Sequence, residues 1–265
     1  MALEHHSNHK MRFDQQVDNS LHYVLPFIEQ TLPINKQMKV LEIGCGEGGV
    51  LKPFQLKGAF CLGVDLNQIR IDLANEFLHE EVAAGQMKFM YKNIYDDDFQ
   101  TEFESFFDLI ILKDVIEHIH NQEEFMPFMK KLLKPKGQVF FGFPPWYMPF
   151  GGHQQVAKQK LTSKIPYYHI LPKPIYKTLL KWGGEEEHRI EELLEIKDTG
   201  ISIERFERIA IASDYSIINK QWYLINPIYK FKFGLKPRKQ IWPLGAIPFV
   251  RNFVTTCAYY TIQKN

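Results

Sequence analysis

The chain has 265 residues, 45% of them hydrophobic and 24% charged, with a formal net charge of +1, a globular balance that suits one full α/β core with an elaboration. Cys45, Cys61 and Cys257 form no CxxC pair and no secretory segment opens the chain, so neither a disulfide framework nor a zinc site is expected, and the cytoplasm is the expected compartment. No apolar run approaches the roughly 20 residues of a membrane helix.

Residues 1–35 read as an N-terminal extension, and the "HHSNH" within it as a tail rather than a metal site. A strand-helix rhythm then begins. Apolar runs at 38–45, 59–66, 87–95, 107–114 and 137–143 predict five strands, and helices are expected at 48–57, 68–83, 97–104 and 121–134. Alternation of this kind calls for a doubly wound, mostly parallel sheet with ligands at the carboxyl ends of its strands. The rhythm breaks after Phe143 for an insertion over 144–200, which closes with an acidic helix near 186–197. It returns with a helix that Ser202 should cap, then strands at 216–225 and 252–263 joined by a basic, proline-rich loop at 226–250. The core is therefore expected over 36–143 and 201–265.

Charge is distributed unevenly. From Tyr215 to Asn265 there are eight basic residues and no acid, so the first 214 residues carry −7 against the total of +1. Either the tail faces the acidic helix within the fold, or it attracts an anionic surface or substrate.

The loop "VLEIGCGEGGV" (40–50) joins the first strand to the first helix. Gly44, Gly46 and Gly49 satisfy G-x-G-x-x-G, and Asp65 ends the second strand, as a dinucleotide site requires. Glu42 separates the ligands: its carboxylate would repel a pyrophosphate, yet would favour the ammonium and sulfonium of S-adenosylmethionine. Burying it calls for a cation nearby.

With "KNIYD" after the third strand and "FDLIILKDVIEHI" around the fourth, the segment 36–143 resembles the class I S-adenosylmethionine-dependent methyltransferases, in the small-molecule group that includes quinone methylases. The resemblance implies a Rossmann-like seven-stranded sheet with an antiparallel last strand, S-adenosylmethionine as cofactor and S-adenosylhomocysteine as product. It also implies that Gly44, Cys45 and Gly46 bring the backbone against the methionine moiety, with Glu42 supporting its ammonium. Asp65 would accept from the ribose hydroxyls, Leu66 would lie against the adenine, Asn93 would meet its amino group and Ile94 would cover the ring. Lys113 would present its backbone carbonyl, and His118 would line the pocket.

"FGFPPWYMPFGGH" (141–153) runs from a buried-looking strand into prolines, aromatics and paired glycines. It differs from the Pro-Pro-aromatic motif of amino-group methyltransferases, because Phe143 lacks a side-chain acceptor and the stretch follows the fifth strand rather than the fourth. The insertion reads instead as a substrate lid beside the transferable methyl group, with Trp146, Tyr147, Phe150 and Tyr167 as an apolar wall and His153 as general base. The function expected is methylation of an oxygen or carbon of a small, apolar or lipid-like molecule. The alternatives are an RNA methyltransferase, disfavoured because no RNA-binding module is present, and a catalytically silent cofactor-binding protein. No metal ligand set is legible. The tail, which interleaves Lys236, Arg238 and Lys239 with aromatics, suggests contact with an anionic membrane or a lipid-linked substrate.

Overall fold

Five apolar runs become parallel strands: β1 (Lys39–Ile43), β2 (Phe60–Asp65), β3 (Met87–Tyr91), β4 (Phe107–Lys113) and β5 (Leu133–Phe143). This computed structural model describes residues 8–153 and 162–265. His5 and His6 of the histidine-rich start and residues 154–161 of the expected lid lie outside the described residues. The sheet is completed by β6 (Tyr215–Ile225), β7 (Arg238–Lys239) and β8 (Cys257–Lys264), and its order is β3-β2-β1-β4-β5-β8-β6-β7. β8 runs antiparallel to both β5 and β6. The eighth strand, absent from the sequence expectation of seven, is the two-residue β7 on the edge beside β6.

The central strands are buried on both faces, which is why they read as continuous apolar runs rather than alternating ones. One core face gathers Leu41, Ile110, Phe141 and Phe206; the other gathers Val40, Leu109, Phe140 and Tyr259. Ser202 caps the helix Ile203–Ala212 by accepting from the Arg205 N–H, as its sequence suggests. Two segments are more ordered than expected. Residues 9–28 of the extension form helices, with Phe13, Val24, Leu25, Phe27 and Ile28 buried in the second core. The loop 226–250 contains the helices Ile228–Phe233 and Trp242–Gly245.

The insertion builds a small core of its own. Tyr168, Tyr176, Leu180, Ile190 and Leu193 pack between the helices Lys173–Trp182 and Glu187–Thr199. Trp146 is buried beside this core, against His169. Its N–H donates to the Ile201 carbonyl, and its ring stands edge-on to His169 at 4.6 Å. A Cβ at Gly200 would lie 2.6 Å from the indole, and one at Gly151 would lie 2.0 Å from the Trp146 carbonyl oxygen. The glycine of "FGGH" is thus required by a backbone crossing. Gly151→Ala is expected to cost about 1–3 kcal/mol of stability by overpacking, visible as a lower denaturation midpoint; an unchanged midpoint would refute the crossing.

Candidate active site

The carboxyl ends of β1, β2 and β4 converge on one recess, as the crevice rule for open α/β sheets requires. Gly44 and Gly46 have φ of +71° and +53°, which turns the loop back under that recess. Asp65 is held at the end of β2 by two backbone donors, Gly46 N–H to Oδ2 and Asn67 N–H to Oδ1, both at 2.9 Å. Of the residues expected to follow it around the cofactor, Leu66 and Asn93 are exposed and Ile94 is buried. Asn93 is partly committed, since its Oδ1 accepts from the Tyr95 N–H at 3.1 Å. Cys45 fits its expected role poorly. Its thiol is buried toward Gly63, and its N–H, with that of Gly44, is spent on the Val64 carbonyl.

Glu42 is 2% exposed and its Oε2 has no hydrogen-bond partner among the described residues. Burial drives its pKa well above the ordinary carboxylate range, and Lys113 partly opposes that. The sequence expectation for Lys113 concerns its backbone carbonyl, yet the side chain also matters: Lys113 lines the recess, and its ammonium makes a 2.5 Å ion pair to Asp114 and is attracted to Glu42. The cation that a buried Glu42 demands is therefore supplied in part by the protein itself.

Sequence reasoning missed the residues that close the recess. The helix His9–Asn19 lays Arg12, Gln15 and Gln16 across the glycine loop, and Gly49 allows this because a Cβ there would meet the Phe13 carbonyl at 2.6 Å. Glu47, fully buried, fastens the helix by pairing with His9 at 2.7 Å and Arg12 at 3.5 Å. From the other side the helix Ile228–Phe233 contributes Ile228 and Lys232. Both helices come from segments whose sequence reads as an extension or a loop.

Beyond Asp114 the chain brings together Glu117, His118 and His153, whose ligand atoms lie within 4.8 Å of one another. The two imidazoles meet edge to face at 5.0 Å. Glu117 is buried, and neither carboxylate oxygen has a hydrogen-bond partner among the described residues; burial and the neighbouring Asp114 both push its pKa well up. Asp114 and His153 adopt φ of +57° and +54°, uncommon for non-glycine residues and a mark of functional sites. Gln122 and Thr199 lock the turn that carries Glu117: the amide donates to the Ile116 and Thr199 carbonyls, and the Thr199 hydroxyl to the Glu117 carbonyl at 2.6 Å. One carboxylate with two imidazoles can accept a proton, and it is also a donor set suited to a divalent transition metal. The spacing 117, 118 and 153 carries no metal signature, which is why the set is invisible in the sequence.

Of the expected substrate wall, Tyr147 and Tyr167 both lie against Phe253, at 5.4 and 6.2 Å, and the Tyr167 hydroxyl donates to the Phe253 carbonyl. Phe150 is half-buried, whereas Trp146 is buried against His169 and Gly200.

A family model described as a methyltransferase domain matches residues 10–164, more than half of the chain. The chain belongs to this methyltransferase family. A ubiquinone biosynthesis O-methyltransferase of Leptothrix cholodnii is 30% identical over 124 residues, 45% of this chain and 52% of that protein. The corresponding protein of Agrobacterium fabrum is 24% identical over 204 residues, 77% of this chain and 69% of its own length. The chain thus spans about half the length of the first curated relatives it matches. Among solved structures, a putative sarcosine dimethylglycine methyltransferase from Galdieria sulphuraria aligns with a TM-score of 0.56 at 14% identity, covering 88% of this chain and 80% of that one. That likeness supports the fold, and it covers more of the chain than the segment matched by the family model.

Proposed function

We propose that this protein transfers a methyl group from S-adenosylmethionine to an oxygen of a small, lipid-like or aromatic molecule. The observation that carries the reading is the gathering of Glu117, His118 and His153 near Asp114, which itself lines the recess with Gly44 and Gly46, while His118 also faces a neighbouring cavity with Glu195 and Thr199. In the reaction the acceptor oxygen attacks the sulfonium methyl carbon in line, the C–S bond breaks with both electrons on sulfur, and the hydroxyl proton leaves. His153 is the proposed proton acceptor, with the buried Glu117 beside it positioning the imidazole. Should a divalent cation occupy the three groups, it would lower the hydroxyl pKa at the same place. The insertion 144–200, anchored beside Glu117 through Thr199, serves as the substrate wall, with Tyr147, Phe150 and Tyr167 as its apolar face. Incubation with methyl-labelled S-adenosylmethionine and a panel of phenols and catechols, with and without prenyl chains, should give labelled ether and one S-adenosylhomocysteine per turnover. Label entering only RNA, or cofactor bound without transfer, would defeat the reading.

A peripheral contact with anionic membrane belongs to the same reading. Among the described residues no ion pair joins the tail to the acidic helix, which pairs with Lys173, Lys177 and Lys181. Lys220 and Arg251 bind Glu207 and Glu204, leaving Lys236, Arg238 and Lys239 exposed with no ion pair among the described residues. Beside them Trp242 is 83% and Phe249 67% exposed, although no helix among the described residues is long and apolar enough to cross a membrane. Cations next to an exposed Trp suit a headgroup layer, at about 1 kcal/mol per basic residue. The protein should co-sediment with phosphatidylglycerol vesicles at low salt, and changing Lys236, Arg238 and Lys239 together to Glu should weaken this by about 100-fold or more. Wild-type protein left in the supernatant would reject the contact.

A further inference from the structure

The recess is lined by more cations than the single carboxylate of its cofactor can pair. Arg12, Arg70, Lys113 and Lys232 all line it with Asp114, and Glu42 and Asp65 adjoin it. Lys113 is paired with Asp114 and Arg12 with Glu47. Arg70 and Lys232 make no side-chain hydrogen bond or ion pair with any described residue, although Lys232 is only partly exposed and feels Asp114, Lys113 and Arg12. S-adenosylmethionine brings one carboxylate, an ammonium and a sulfonium, a net charge of +1. Its carboxylate can satisfy one cation, and Arg12, on the helix that crosses the glycine loop, is placed for it. Arg70 and Lys232 would then remain as lining cations with no side-chain partner of their own among the described residues in a partly desolvated recess, a costly arrangement even with Glu42 and Asp65 nearby.

We infer that the acceptor substrate carries an oxyanion, a carboxylate or a phosphate ester, which Lys232 and Arg70 hold while its hydroxyl faces Glu117, His118 and His153. The inference rests on the methyltransferase reading. Both cations line the recess together with Asp114, three residues before Glu117, and their charge is felt by Asp114 and His118. Lys232 is carried by the helix Ile228–Phe233 and Arg70 by the helix Gln68–Phe77, so an anion between them would bridge two separate walls. The arrangement would select acidic acceptors over neutral ones of the same shape.

The test uses the full chain loaded with S-adenosylhomocysteine and two probes, benzoate and inorganic phosphate, titrated by calorimetry. One of the two should bind, identifying the oxyanion as carboxylate or phosphate. Lys232→Met and Arg70→Met should each weaken that probe by about 10-fold or more, the value of a charge-assisted hydrogen bond, with S-adenosylhomocysteine affinity nearly unchanged. Failure of both probes to bind the loaded protein overturns the inference. So does a Lys232→Met protein that loses S-adenosylhomocysteine but keeps methylthioadenosine, since Lys232 would then serve the cofactor carboxylate. A wild-type protein that takes up no S-adenosylhomocysteine fails at the earlier step, and brings down the methyltransferase reading together with this one.

Discussion

Asp65→Ala is expected to weaken S-adenosylmethionine binding by about 10- to 100-fold, because hydrogen bonds to a charged acceptor contribute about 1.5–3 kcal/mol. The side chain has two tasks. Its oxygens already receive the Gly46 and Asn67 N–H groups, so alanine also removes the tie between the glycine loop and the end of β2. Asp65→Asn separates the tasks, since one amide oxygen can still accept from a backbone N–H while the charge that favours the ribose hydroxyls is gone. Its loss should fall between wild type and Asp65→Ala. Equal affinity in all three proteins, measured calorimetrically, would show that the ligand does not lie along β2, and the assignment of Leu66, Asn93 and Ile94 would fall with it.

The sheet was legible because a strand buried on both faces must be an apolar run, and because glycines with positive φ must follow β1 if the chain is to turn under a ligand. The helix His9–Asn19 was not. Only three of its residues, Phe13, Gln15 and Asn19, are buried, so it shows no full apolar stripe, and its contribution to the site is the charge of Arg12. The helix Ile228–Phe233 is too short for periodicity to register and follows Pro227, which reads as a loop. Composition could not distinguish Trp146, sealed against His169 and Gly200, from Tyr147 and Tyr167, which stand beside Phe253. An aromatic residue in an insertion serves either purpose, and only tertiary contacts decide. The ammonium of Lys113 was missed for a related reason. On a buried strand its ammonium would be expected to turn away, yet Asp114 and Glu42 together make the interior favourable for it.

Glu117→Gln should lower turnover by about 100-fold, the lower end of what a positioned general base such as His153 supplies, while raising thermal stability at neutral pH. The stability half follows from linkage. The folded-state pKa of Glu117 is raised above its unfolded value, so its contribution is fully present below the unfolded pKa and lost as pH rises through the folded one. Gln keeps the shape without that loss, so the variant's denaturation midpoint should exceed wild type at neutral and alkaline pH and converge with it in acid. A residue that merely caps the turn would give the opposite, lower stability with little change in turnover. His153→Ala should match the loss of activity without the gain in stability, since it leaves the buried carboxylate in place. Chelation decides what the cluster holds. If His153 takes the proton directly, treatment with EDTA leaves the rate unchanged; if a divalent cation sits on Glu117, His118 and His153, chelation abolishes turnover and added zinc raises the midpoint of wild type but not of Glu117→Gln. Full activity in both variants would remove the cluster from the chemistry altogether.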